Sequence, residues 1–320
     1  MARTRFVGDA GLTARMTLTM FALGGLFVAV VVGLMFLVGN RPGLVVIIGL
    51  AGLGIVWFQW YNSDTMALKA MRARVVEPHE APELHAVIDR LCAMADMPKP
   101  RVAISYTELP NAFATGRSPE RAAVCVTTGL LDRLNREEVE AVLAHELSHV
   151  AHRDVLVMTL ASSAGIITGM VLRGAQFGGL SVFGRDRNSS GLPVWLLVLL
   201  VSVVVYAVSF VATRLLSRYR ELSADRAGVY LTGKPSQLAN ALTKITGEIS
   251  AIPQRDLRAA AGMNAFFIAP AVSGISMRTL TATHPTLEQR LGQLAKISAE
   301  LGRPLDGGFG AGPDVPGGRP

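Results

Sequence analysis

Four stretches of this chain carry no charged residue, 16–38, 43–61, 155–172 and 192–213, and each runs about 18 to 23 residues. At a rise of about 1.5 Å per residue, helices of that length approach the roughly 30 Å thickness of a hydrocarbon core. A mean hydropathy of +0.39, with 50% hydrophobic residues, agrees with that reading. The chain is therefore expected to be an integral membrane protein with four apolar helices. The first stretch is too long for the apolar region of a signal peptide and lacks a small-residue cleavage pattern before Asn40, so it is expected to persist as an anchor.

The first two stretches form a hairpin about residues 40–43, and Trp57, Trp60 and Tyr61 make an aromatic cluster suited to a membrane interface. The third is rich in Ser, Thr and Gly, which leaves a buried or half-inserted helix open beside a spanning one. Basic residues near membrane ends set orientation. Arg3, Arg5 and Arg15 precede the first stretch, only Arg41 lies in the hairpin, and Lys69, Arg72 and Arg74 follow the second. The N-terminus and residues 62–154 should thus face the cytoplasm. Arg173, Arg185 and Arg187 nearly balance Arg214, Arg218 and Arg220, so the second pair gives no clear direction.

Between the apolar pairs the pattern changes to that of a soluble unit. Residues 81–97 read as a helix with Leu84, Val87, Ile88 and Leu91 on one face, and 101–106, 111–115 and 122–131 read as short strands. Amphipathic helices are expected over 236–250 and 285–300, and the Gly- and Pro-rich residues 302–320 read as a disordered tail. The net charge of +7 does not point to nucleic acid, because the arginines cluster at membrane edges where anionic lipid lies. Cys92 and Cys125 lack metal or redox spacing and read as reduced core residues.

Residues 145–149 read HELSH. Asn135 followed by Glu138 has capping-box spacing, and Val139, Val142, Leu143, Leu147 and Val150 recur at helical intervals, so a helix is predicted over 136–152. On it His145 and His149 lie one turn apart and can reach one Zn2+, with Glu146 directed at the water such an ion binds. The implied chemistry is metal-assisted hydrolysis. A third ligand is required. The metzincin extension fails, because the positions three and six residues after His149 hold His152 and Val155. His152 is not expected to ligate, because one short helix rarely supplies three ligands to one catalytic zinc; Asp154 reads as a cap or ion-pair partner. The segment 214–231 offers Glu221 as the third ligand, with Asp225 one turn later able to accept the other N–H of a ligand histidine.

These residues resemble the HtpX-type membrane zinc metalloproteases, relatives of the CAAX prenyl proteases among the gluzincins. The resemblance covers roughly 15–300 and rests on PNAFATG (110–116), GLL (129–131), LNREEVEAVLAHELSHVAHRD (134–154), ELSADRAG (221–228), NAFFI (264–268) and HPTLEQR (284–290). It implies a mainly α fold in which the four apolar helices join a cytoplasmic, zincin-like α+β metalloprotease domain with a small β-sheet. It implies an endopeptidase of the bacterial inner membrane that degrades misfolded membrane proteins under stress. One Zn2+ per chain would be held by His145, His149 and Glu221, with Glu146 as general base. By the same resemblance His284 is the candidate donor to the tetrahedral oxyanion, with Arg290 beside it as orienter and substrate contact; a helix cap is the other reading of His284. Asn111, Ala112, Phe113 and Ala114 are expected to form an exposed edge strand that pairs with extended polypeptide, an internal strand being the alternative. The expected divisions are 1–15, a membrane hairpin over 16–61, catalytic residues 62–154, a second apolar hairpin over 155–213, catalytic residues 214–301, and the tail. A zinc-stabilised scaffold or regulatory pseudoprotease is the competing class. The intact Glu146 argues against it, since a structural site needs no base.

Overall fold

The computed structural model describes residues 5–38, 42–154, 194–251 and 285–303. The third apolar stretch, its connection to the fourth, NAFFI, His284 and all but the first two residues of the expected tail lie outside these residues. The elements run α1 (Ala10–Val38), α2 (Pro42–Tyr61), α3 (Ser63–Ala70), β1 (Ala73–Val75), α4 (Pro82–Ala95), β2 (Arg101–Ser105), β3 (Ala112–Gly116), a 3-10 turn (Pro119–Arg121), β4 (Ala122–Thr127), α5 (Thr128–Arg133), α6 (Arg136–Ala151), α7 (Val194–Thr232), α8 (Pro235–Ala251) and α9 (Leu287–Glu300). The chain is mainly helical around one small mixed sheet.

The sheet has the order β1-β2-β4-β3, with β2 and β4 parallel and the two outer pairs antiparallel. Successive side chains of a strand face opposite ways, and both faces here are covered. Val102, Val124, Val126 and Ala112 point into the main core with Ile88, Leu91, Leu143, Leu147, Leu238 and Leu242. Ala103, Ala123, Cys125 and Phe113 point the other way, onto Ala67, Leu68 and Met71 of the α3 segment. Burial pushes the Cys92 and Cys125 thiols up to about 11 and about 12, so both are inert packing groups.

The strand expected over 122–131 stops at Thr127. Its hydroxyl accepts a hydrogen bond from the Leu130 N–H and caps α5, while Gly129 sits directly against the Glu108 carbonyl, where a side chain would not fit. Strand β1 and helix α3 have no counterpart among the elements read from sequence.

Helix α6 lies at the centre. The Asn135 side chain accepts from the Glu138 N–H at 2.9 Å and Glu138 accepts from the Asn135 N–H at 2.9 Å, so the capping box is complete. Every residue from Glu138 to Val150 is buried, beneath α4, α7, α8 and β3. Gly228 of α7 lets the two helices meet at the site, for a Cβ there would stand 2.9 Å from the His145 backbone nitrogen.

Helix α7 is 39 residues long. It carries the fourth apolar stretch and Glu221 on one uninterrupted rod, and α1 packs along it through Leu12 and Leu216. Counted over the described residues alone, no helix is long and apolar enough to cross a membrane. Three helices nonetheless expose large apolar side chains: Leu18, Phe21 and Val28 on α1; Ile47, Leu50, Leu53, Trp57 and Phe58 on α2; Leu200, Val203, Val204, Val208, Val211 and Leu215 on α7.

Candidate metal centre

His145 and His149 project from one face of α6, one turn apart, with ring centroids 4.9 Å apart and planes near perpendicular. Glu221 reaches in from α7, with a carboxylate oxygen 3.6 Å from each Nε2. Ligating atoms of these three residues lie within 4.8 Å of one another, and all three side chains are buried. Among the described residues this is the one such cluster. The Nε2 of His145 is buried without a hydrogen-bond partner, a cost of roughly 1–3 kcal/mol for a polar group unless something else binds it. Two imidazole nitrogens and one carboxylate converging on a point match the donor set of a catalytic Zn2+ with one position left open. The residues fit the ion.

The far side of each imidazole is also held. His145 Nδ1 donates to Asp225 Oδ1 at 2.9 Å, and Asp225 is gripped by the Arg290 guanidinium at 2.6 and 2.8 Å. His149 Nδ1 donates to Asp154 Oδ2 at 2.7 Å, and Arg220 Nε donates to the same oxygen at 2.8 Å. Two parallel relays, arginine to carboxylate to histidine, thus fix both rings so that each presents Nε2 to Glu221. Burial alone would raise both aspartates, but Arg290 and Arg220 outweigh it and hold them below the usual carboxylate range. Burial likewise works against a proton on His145, yet the Asp225 and Glu221 carboxylates prevail and lift it to about 9.

Glu146 lies beside the cluster with its carboxylate turned to β3, where the Ala114 N–H donates to Oε2 at 3.1 Å. Its pKa is raised, chiefly by burial and further by Glu221, against the pull of His145 and His149. A carboxylate raised in this way is a better proton acceptor than an ordinary glutamate, as a general base requires.

The expected substrate residues divide. Strand β3 is the sheet's edge, paired on one side with β4 and flanked by α6 on the other. It begins at Ala112, and Asn111 is a fully buried residue just before it whose N–H donates to Thr127 Oγ1. The Phe113 ring faces the α3 side of the sheet and is 3% exposed, so any part this residue takes in pairing with a peptide falls to its backbone. Arg290 is placed from α9 against the metal-site helices. It is 3% exposed and paired with Asp225 beneath the centre, where it supports a metal-side histidine. His152 caps the end of α6 and stands apart from the cluster. Asp154 and Arg220 are the residues whose role sequence reasoning missed. Asp154 follows the second histidine by five residues, which suggested only a cap or ion pair, and its partner Arg220 is 66 positions away.

The profile of peptidase family M48 matches residues 78–298, which include both metal-site helices and strands β2 to β4. Protease HtpX homolog 1 of Streptomyces coelicolor is 55% identical over 301 residues, 94% of this chain and 97% of that protein. A protease HtpX homolog of Moorella thermoacetica is 49% identical, over 93% of this chain and 98% of that protein. Among solved structures, Ste24p of S. mikatae aligns with 89% of this chain and 67% of its own at a TM-score of 0.48 and 18% identity, too distant to carry an argument. With the profile spanning more than half the chain and relatives matched nearly end to end, the protein belongs to peptidase family M48.

Proposed function

We propose that this peptidase is a Zn2+-dependent endopeptidase of the bacterial cell membrane, with its catalytic residues on the cytoplasmic side, that cleaves misfolded or damaged membrane proteins as part of a stress response. The observation that carries the hydrolytic half is the convergence of His145, His149 and Glu221 beside the buried Glu146. Zn2+, when bound, supplies an acidified water and a Lewis acid for the scissile carbonyl. The rest falls to the chain's own groups. Glu146 takes the proton from the attacking water and returns it to the leaving amine, the Ala114 N–H keeps its carboxylate aimed, and the Asp225 and Asp154 relays hold each imidazole by Nδ1 so that Nε2 faces the metal position. His284 remains our candidate for the oxyanion donor.

The membrane half is supported by the apolar side chains that α1, α2 and α7 expose, far more than a water-facing surface carries in one belt. It is supported too by the arginines that follow each apolar run. Residues 16–61 and 155–213 would be the two membrane hairpins, and α7 carries the fourth apolar segment straight into the catalytic part. Polypeptides follow as substrates from peptidase chemistry. Unfolded membrane proteins follow from an edge strand that binds backbone and so tolerates any sequence. The test compares wild type with Glu146→Gln on an unfolded polypeptide, with and without a chelator. Wild type should cleave and lose activity with the metal, while Glu146→Gln should keep its zinc and lose about 100- to 10,000-fold in kcat. A metal-loaded Glu146→Gln that cleaves at the wild-type rate would sink the assignment.

A further inference from the structure

Where α2 ends, a cavity of about 410 Å³ opens between Tyr61, Asn62, Asp64 and Thr65 on one side and Lys99, Arg101, Arg117, Glu120, Arg121 and Ala122 on the other. Four of its lining residues are cationic and two are acidic, and with Lys99 paired at 2.8 Å to Asp89 outside the lining, one positive charge remains in surplus at one concave spot. The arginines are arranged unequally. Arg101 is paired with Asp64, and Arg117 lies over the Tyr61 ring at 3.8 Å and donates to the Tyr61 carbonyl at 3.1 Å. Arg121 makes no side-chain hydrogen bond or ion pair among the described residues. Arg117 spends one nitrogen of its guanidinium on Tyr61, so both it and Arg121 keep donors for a ligand in a mouth that stays wet.

The neighbourhood says what kind of ligand. Trp57, Phe58 and Tyr61 are exposed at 58%, 56% and 42% on the last turns of α2, with Trp57 stacked on Tyr61 at 5.1 Å. Exposed aromatic rings in that position mark the headgroup level of a bilayer, where an apolar body and a polar tip are both satisfied. A basic cavity at that level meets the phosphate of a lipid, and guanidinium forks match phosphate oxygens in pairs. Arg117 also follows Gly116, the last residue of β3, so whatever fills the cavity is continuous with the strand that aims Glu146.

We propose that this cavity is a binding site for the phosphate headgroup of an anionic glycerophospholipid, with Arg117 and Arg121 as the principal donors and Tyr61 as the stacking floor. The inference rests on the membrane half of the reading above, and a free phosphate ester shares the same chemistry. The test is calorimetric titration of the full chain in neutral detergent with three soluble probes: dihexanoyl phosphatidylglycerol, dihexanoyl phosphatidylcholine and inorganic phosphate. Phosphatidylglycerol should bind at least tenfold more tightly than the other two. Arg121→Gln alone, which disturbs no contact among the described residues, should weaken it about fivefold, and Arg117→Gln with Arg121→Gln about 25-fold. An Arg72→Gln and Arg74→Gln pair, which removes the same charge outside the cavity, should change it less than twofold. Equal binding of phosphate and phosphatidylglycerol overturns the lipid assignment, and a double variant that binds like wild type overturns the site. Alkaline carbonate extraction of cell membranes reports separately on membrane insertion, so a failure there is told apart from a failure of the cavity.

Discussion

Replacing Asp225 with Asn removes one charge from the deepest part of the metal centre and leaves the shape intact. Asp225 has no exposed surface; it accepts from His145 Nδ1 at 2.9 Å and from Arg290 at 2.6 and 2.8 Å. Losing the charged acceptor weakens a hydrogen bond worth about 1.5–3 kcal/mol and lets His145 turn or take the wrong tautomer. That agrees with the roughly 10- to 100-fold loss of metal affinity seen when such outer partners are removed. A second cost falls on Arg290, which is 3% exposed and would be left with Glu221, at 4.0 Å, in place of its closely paired carboxylate. Breaking a buried pair costs about 3–5 kcal/mol, or roughly 6 to 20 °C in melting temperature for a unit of this size. The two effects separate in the double variant Asp225→Asn, Arg290→Gln, where the stranded charge is gone: melting temperature should partly return and zinc affinity should not. Competition against a chromophoric chelator reads the first, and a thermal melt in detergent the second. An Asp225→Asn protein that is folded and binds Zn2+ as tightly as wild type would refute the claim that the carboxylate's charge sets His145.

Asp154→Asn should behave in parallel at His149, with a 10- to 100-fold weaker metal by the same chelator assay; unchanged affinity would make the second relay ornamental. Gly228→Ala drives a methyl against the His145 backbone 2.9 Å away, so α7 must retreat and take Glu221 with it. An overpacking cost of about 1–3 kcal/mol and reduced zinc content are expected, and a variant with wild-type melting and metal content would contradict the close helix approach. In the metal-free protein His145 holds its proton up to about 9, against 6.5 for a free imidazole. The stability from its pairing with Asp225 is therefore complete below pH 6.5 and is lost as pH rises through about 9. Zinc must displace that proton, so its apparent affinity should climb about tenfold per pH unit and flatten near 9; an affinity flat from pH 6.5 to 8.5 would contradict the pairing.

What was legible in the sequence was what depends on short spacing along one helix. His145 and His149 share a face because four residues make about a turn, and Asn135 with Glu138 cap α6 for the same local reason. Glu221 and Asp225 could be read as ligand and support because they too lie one turn apart. The failures are contacts across the chain. Arg220 meets Asp154 only because α7 crosses α6, and no spacing rule reports a crossing. The boundary drawn at residue 213 followed the first charge, Arg214, whereas the backbone continues as helix through it, since hydrogen bonding in a helix does not respond to a change of solvent. Strand β4 ended early because the Thr127 hydroxyl and Gly129 act on a neighbouring loop that the sequence pattern does not display.

The edge strand yields the sharpest remaining test, and the structure changes its design. Along an antiparallel pair, residues alternate between bonding their neighbour strand and presenting N–H and C=O outward. Asn111 bonds toward β4 through Thr127 and Ala114 donates outward to Glu146, so Ala112 and Ala114 are the outward pair. The Ala114 N–H is committed to the proposed base and Ala112 is 1% exposed, so the C=O of the half-buried Ala114 is the outward group that a peptide would reach first. Ala114→Pro consequently tests the base more than the edge. Glu146 loses an N–H that favours its charged form, its pKa moves up, and the acid limb of the kcat profile should shift to higher pH while zinc stays bound. Peptide pairing is better tested from the substrate side, where the enzyme's fold is untouched. Methylating one substrate amide that bonds to β3 should raise KM about 2- to 12-fold, the equivalent of ~0.5–1.5 kcal/mol per net hydrogen bond, and methylating the next amide along should do little. An alternating pattern of KM along the peptide is the signature of strand addition. A uniform response at every position would show that the polypeptide is gripped by its side chains, and β3 would then serve only to aim Glu146.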